Sequence, residues 1–377
     1  MSKRFIITIS TLAVIGIVAG LAIFLARGYR FSPGEKRIVG TGIINISSEP
    51  DAASVFIDGH LTTATNATVA SLTPKTYSVR VIKEGFIPWE KSINVKEGLV
   101  TEVKITLFPA IPTIYPLTFS GIKNPTLSAD SSKLAFIVPR SSAAGDNKKG
   151  GIWVWTMIKN QPIAFARSSE PHQIITSLSI DFSNATLRWS SDSKQIMATI
   201  SNNNYLLNAD TTNSDPRDIT PILSATLNDW EESTRASDAL LIKNIKDISL
   251  RKTASDSAFL RWSPDETKFM AREKPISGQE KELIGDVKVY DLEGNIQYVL
   301  PEAKSFMWLP NSTHIILVEK DTISLVEFDG KNRSVIYAGN FEDNFVFPWP
   351  DSSKLVIVSS SPTPTASEPN LYGINLR

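Results

Sequence analysis

The sequence predicts a mainly β protein: an amino-terminal transmembrane helix, a small β-sandwich, then a β-propeller of five or six blades with one helical insertion. Three observations predict it. Residues Phe5 to Ala26 carry no charge. Residues 42–108 break into short runs with period-two alternation. Beyond residue 109 a Trp/Asp hairpin motif recurs five times. The boundaries that follow are 1–27 for a cytoplasmic tail and anchor, 28–41 for a linker, 42–108 for the sandwich and 109–377 for the propeller.

The uncharged amino-terminal run holds 22 residues. As a helix at about 1.5 Å per residue it would span roughly 33 Å, the thickness of a bilayer's hydrocarbon core. Lys3 and Arg4 precede it, and Arg27, Arg30, Lys36 and Arg37 follow it. Basic residues on both sides leave orientation open on charge alone. A short basic tail inside, with the folded domains outside the cytoplasm, is the expectation. A cleaved signal peptide is the alternative, with Ala19-Gly20-Leu21-Ala22 as its small-residue site. A buried soluble helix is the third. Residues 28–41, polar and holding Gly and Pro, read as a juxtamembrane linker.

In the next segment Val103, Ile105 and Leu107 fall on one face of a strand, and Tyr77, Val79 and Val81 on one face of another. Asp58-Gly59, Thr73-Pro74-Lys75, Glu84-Gly85 and Glu97-Gly98 supply turns. Half-buried strands need a facing layer, so two packed sheets are expected. ISSEPDAASVFIDG (46–59) followed by LTPKTYSVRVIKEGFIPWEKSINV (72–95) resembles a PEGA domain. Ala52 and Lys75 stand where that family usually has Gly. The resemblance implies a β-sandwich in a cell-envelope setting and no known chemistry. Asp58-Gly59 reads as a hairpin turn, and Trp89 as core packing.

The repeats are TLSADSSKLAF (126–136), RWSSDSKQIMA (188–198), RWSPDETKFMA (261–271), MWLPNSTHIIL (307–317) and PWPDSSKLVIV (348–358). Their Asp/Asn positions, 130, 192, 265, 311 and 351, are 62, 73, 46 and 40 residues apart. The last two spacings suit a four-stranded blade, and the first two must hold insertions or a hidden sixth blade. Trp189, Trp262, Trp308 and Trp349 end apolar strands and read as blade core. Asp130, Asp192, Asp265, Asn311 and Asp351 read as turn-formers that bond their own backbone two residues on. This pattern resembles TolB-like and WD-repeat-like propellers, with Glu266 in the position usually held by Gly. Tyr115 to Phe119 is expected to supply the strand missing from the last blade. The 73-residue spacing contains a helical run, expected from Asn228-Asp229 toward Leu241. Residues 141–151 and 359–369 read as loops.

Composition excludes several functions. With no Cys there is no disulfide, thiolate catalysis or Cys-ligated metal. Lys+Arg and Asp+Glu are equal at 39, against the basic excess of a nucleic-acid groove. No elbow, zincin, phosphate-loop or dinucleotide motif is present. Of the three His, His314 is expected to be exposed in a turn, and His60 and His172 have no assigned role. The glycosylation-type triplets at Asn66, Asn184 and Asn311 read as chance. No catalytic, cofactor-binding or metal residue is expected. The expectation is a membrane-anchored, extracytoplasmic binding or scaffold protein whose propeller engages a protein or a cell-wall polymer. An enzyme with a site invisible in sequence, or a sensor subunit working with a membrane partner, are the alternatives.

Overall fold

The computed structural model describes residues 3–26, 29–32, 37–140, 149–157, 170–273, 286–342, 345–360 and 368–377. The expected loops at 141–151 and 359–369 lie partly outside these residues. The chain divides into two compact units, Met1–Ile111 and Pro112–Arg377.

The first unit opens with α1 (Lys3–Ala26). Its apolar side chains stand exposed, including Leu12, Ile15, Ile17 and Leu21. The expected membrane-spanning helix is corrected here. Among the described residues no helix is long and apolar enough to cross a membrane. The expected linker also differs, because Tyr29–Ser32 pairs antiparallel with Arg37–Gly40.

Residues 42–106 form two sheets. His60–Ala64, Ser54–Ile57, Thr76–Ile82 and Trp89–Asn94 make one, in that order. Ala67–Leu72, Gly42–Glu49 and Val100–Thr106 make the other, with the last two parallel. Ile44, Ile46, Val79, Val81, Val103, Ile105 and Trp89 bury together between them. Alternation predicted this, because every second side chain of a strand points to the same layer. Trp89 is core, as expected. Asp58 and Gly59 take φ of 49° and 81°, the left-handed pair that a tight hairpin requires. Ala52 also lies at positive φ, 53°, so the turn keeps the conformation that Gly would adopt more easily.

Among the described residues the second unit holds five four-stranded antiparallel sheets and one helical insertion. The sheets, or blades, begin with Lys123–Leu127, Thr186–Trp189, Ser257–Trp262, Ser305–Trp308 and Val346–Pro348. In the first four, strand order follows the chain. The fifth is completed by Ile114–Pro116, paired with Asn370–Asn375, which places the closing strand where the sequence predicted it. Ile122, Leu134 and Phe136 of the first blade share a core with Phe347, Val356 and Leu371 of the fifth. The ring therefore closes between its ends, leaving only the short edges of a radial array. The sixth blade left open by the spacings is not found among the described residues.

All five repeats fold into the same corner. Its flanking backbone N–H donates across the turn in each copy, from Ser128, Ser190, Ser263, Leu309 and Trp349 to the carbonyls of Lys133, Gln195, Lys268, His314 and Lys354. One residue at the tip is left-handed each time: Ser131, Ser193, Glu266, Ser312 and Ser352, with φ of 59–60°. That is the position usually held by Gly. This register corrects one equivalence. Trp349 occupies the corner position of Ser263, and Pro348 occupies that of Trp262, because the fifth copy is one residue shorter. Trp349 is still buried, packed edge-on against Trp155 at 5.4 Å.

The insertion contains α2 (Leu223–Asn244) and α3 (Ile248–Asp256). Helix α2 starts earlier than its sequence signal at Asn228-Asp229, after a single 3-10 turn at Thr220–Ile222 that carries Pro221. Helix α3 was not anticipated. Its signal is Asp247, whose side chain accepts from the N–H groups of Ser249 (2.8 Å) and Leu250 (3.0 Å).

The helices stand in for a blade-to-blade contact. The indole N–H of Trp189 donates to the carbonyl of Thr126 in the preceding blade, and that of Trp308 to Arg261. At the equivalent place Trp262 donates instead to the Asp238 carboxylate on α2, at 3.2 Å. The corners show the same interruption. The N–H of Asp130 donates to Ser193 Oγ in the next blade, and that of Asp265 to Ser312 Oγ. Between the second and third blades the matching position is Glu266, which has no hydroxyl to offer. Trp230 of α2 packs with Met197 of the second blade. Ala254 of α3 packs with Phe269 of the third.

Candidate functional site

The repeated carboxylates are accounted for by the corners themselves. Asp130, Asp192, Asp265, Asn311 and Asp351 each accept, through Oδ1, from the N–H two residues on, at 2.8–3.1 Å. Ser128, Ser190 and Ser263 add hydroxyl donors at 2.6 Å. The turn-forming role expected from the Asp/Asn exchange is what the structure shows. Among the described residues no group of three or more His, Asp or Glu is placed to hold a metal ion.

These bonds set the acidity of the corner. The Ser190 hydroxyl is the main influence holding Asp192 below its ordinary value. For Asp130 and Asp265 burial is the largest single influence and pushes upward. The hydroxyl and backbone donors around them outweigh it, so both carboxyls are also lowered. A carboxyl depressed on folding stabilises the fold above its unfolded pKa, near 3.9, and that stability is lost as pH falls through the folded value. Urea midpoints of the wild-type chain are expected to fall steadily below about pH 4 by this linkage. Asp265→Asn, which copies the fourth repeat, should flatten part of that slope. Identical slopes in the two proteins would remove Asp265 from the account.

His314 is corrected from an exposed turn residue to a buried one, 4% exposed. Its Nδ1 lies 3.0 Å from Asn311 Nδ2 and 3.0 Å from Thr313 Oγ1. The reason is register: this position opens the second strand of each blade, and Lys268 is buried there too. His172 begins the outer strand of the first blade, with Nε2 3.2 Å from the Ala209 carbonyl. His60 opens an edge strand of the sandwich and is exposed. Within the second unit His172 and His314 therefore sit in separate environments.

A cleft of about 720 Å³ lies between the third and fourth blades. It lies at the strand ends opposite the repeat corners. Val287, Leu300 and Phe306 give it an apolar floor, while Arg272, Lys304 and Lys320 face Asp286, Glu302 and Glu319 around it. Glu319 is fixed by Arg333 at 2.7 Å and by the Thr322 hydroxyl at 2.5 Å. Backbone bonds from Lys304 to Val318 (2.9 Å) and from Leu300 to Val287 (3.0 Å) hold the wall. Three cations and three carboxylates around an apolar floor suit a polar surface of mixed charge. They provide no nucleophile held by an oriented base. Sequence reasoning did not find this cleft. Its residues come from strand ends in two blades and share no spacing or motif.

Comparison with known proteins gives one family match: residues 41–111 match the PEGA domain. A search of curated proteins finds no match. Among solved structures, a putative TolB from Agrobacterium tumefaciens is similar over 65% of this chain and 76% of its own, at 16% identity and a TM-score of 0.24. TolB from Acinetobacter baumannii is similar over 80% of this chain and 60% of its own, at 11% identity and a TM-score of 0.24. The Swd1 β-propeller domain from Myceliophteria thermophila is similar over 66% and 65%, at 9% identity and a TM-score of 0.21.

Proposed function

We propose that this chain is a non-catalytic interaction protein of the cell envelope. In this reading it is held at a membrane through α1, and its sandwich and propeller stand on the extracytoplasmic side. The propeller is the platform, and its partner is a protein with a polar surface of mixed charge. The observation that carries the proposal is the cleft between the third and fourth blades, where charges of both signs ring an apolar floor. Such rims steer and orient a complementary surface, while the apolar centre supplies affinity. The PEGA match supports the envelope setting, as the family resemblance implies. The exposed apolar side chains of α1 support membrane association, since water is a poor solvent for a continuous apolar surface.

The test uses the full chain, solubilised from envelopes after cross-linking. One partner species is expected to be captured with the wild type, and its yield should fall about ten-fold with Lys304→Glu and Lys320→Glu together, the size of a lost interfacial charge pair. Capture unchanged by charge reversal would remove the cleft from the proposal. Turnover of a substrate without capture would favour an enzyme. Release of the chain by alkaline carbonate would separate α1 from membrane association.

A further inference from the structure

The insertion builds a second recess, independent of the cleft. It measures about 390 Å³ and lies between the second blade and α2. The indoles of Trp189 and Trp230 line it, each 8% exposed. Arg188 comes from the blade and Arg235 from the helix, and the Glu231 carboxylate lies between them.

The ion pairing there is loose. Arg188 Nη2 is 3.6 Å from Glu231 Oε1, and Arg235 Nη2 is 3.4 Å from Oε2. Charge-assisted bonds between guanidinium and carboxylate close to about 2.7–2.9 Å when they are fully formed. One carboxylate therefore serves two arginines, each through a single long contact. A guanidinium carries five N–H donors in a planar fork suited to an oxyanion. The lining holds two positive charges and one negative, so one further monoanion would balance it. Beside the arginines, the exposed edges of the two indoles give the recess its apolar wall.

We propose that this recess binds a small organic carboxylate. Its oxyanion sits between Arg188 and Arg235, and its flat apolar body lies against Trp189 and Trp230. The volume falls within the range of small-ligand sites, about 300–1,000 Å³. Arg188 follows from the repeat and Arg235 from the insertion, so the site exists only where the helix replaces a blade contact. The equivalent arginine of the third blade, Arg261, is engaged differently, lying over the Phe259 ring at 4.9 Å.

The experiment is titration of the full chain with benzoate, benzyl alcohol and inorganic phosphate, read by calorimetry and tryptophan fluorescence. Saturable benzoate binding is expected, with a fluorescence change that benzyl alcohol does not produce at equal concentration. Arg188→Ala with Arg235→Ala should weaken benzoate by at least about ten-fold, the loss of one bidentate charged contact. Glu231→Gln should tighten it several-fold by removing the competing internal carboxylate. Both arginines are at least half exposed or nearly so, at 48% and 80%, so folding is expected to survive, and an unchanged unfolding midpoint verifies this. Absence of saturable binding would overturn the proposal. So would benzoate affinity unaffected by the double variant, or phosphate binding as tightly as benzoate with no tryptophan response.

Discussion

Replacing Phe269 by alanine is expected to destabilise the propeller by about 3–5 kcal/mol, the range for deleting a buried aromatic side chain. Phe269 is fully buried. Its ring stacks on Tyr290 at 4.9 Å and 15°, and meets Trp262 at 5.4 Å and 56°. Ile245 and Ala254 of the insertion pack in the same cluster. The cavity has little means of collapse, because Phe269 sits on an inner-pair strand held on both sides by Trp262 and Tyr290. Interiors that cannot relax lose both transfer energy and dispersion contacts. Urea unfolding followed by tryptophan fluorescence measures this well, since seven of the eight Trp lie in the second unit. A loss below about 1 kcal/mol would show that the insertion can repack onto the third blade, contrary to the usual cost of such cavities.

Removing residues 370–377 should abolish cooperative unfolding of the propeller altogether. The strand Asn370–Asn375 lies between Lys354–Ser359 and Ile114–Pro116, so its loss leaves Ile114–Pro116 without a partner and strips one edge of Lys354–Ser359, which keeps only Val346–Pro348. Leu371, Ile374 and Leu376 are fully buried. Asn370 also ties down the approach to the first blade. Its Oδ1 accepts from Thr118 Oγ1 and from the Gly121 N–H, each at 3.1 Å. Leu371→Ala is the milder companion, with an expected loss of about 2–5 kcal/mol. Near-ultraviolet circular dichroism and limited proteolysis report the outcome. A truncated chain with a sharp transition near the wild-type midpoint would mean that the ring does not depend on this closure.

Much of the fold was legible because it depends on local periodicity. Period-two runs mark the sandwich strands, and the five Asp/Asn corners mark the blades. The closing strand near Tyr115 followed from counting strands per blade. What the sequence obscured was register and partnership. His314 looked like a turn residue because it follows a turn, yet it opens a buried strand. Trp349 looked like the fourth equivalent Trp, yet one missing residue moves it into the corner. Helix α3 is short and weakly apolar, so only its Asp247 cap announced it. The expectation of a membrane-crossing helix rests on an uncharged run alone, and among the described residues no helix is long and apolar enough to cross a membrane. Neither recess was visible, because each draws its residues from elements far apart in the chain.

The helix between the second and third blades also bears on how this architecture tolerates variation. A ring of sheets must divide a full turn among its members, so every blade constrains the angle of every other. A joint made of a helix is not bound by strand register or by the corner-to-corner hydroxyl. Its thickness can be trimmed by changing side chains on one cylinder, such as Trp230 and Asp238, without altering a blade. The insertion thus works as an angular shim. It lets five unequal sheets meet, and it frees the outward side of the helix to diverge without reopening the ring.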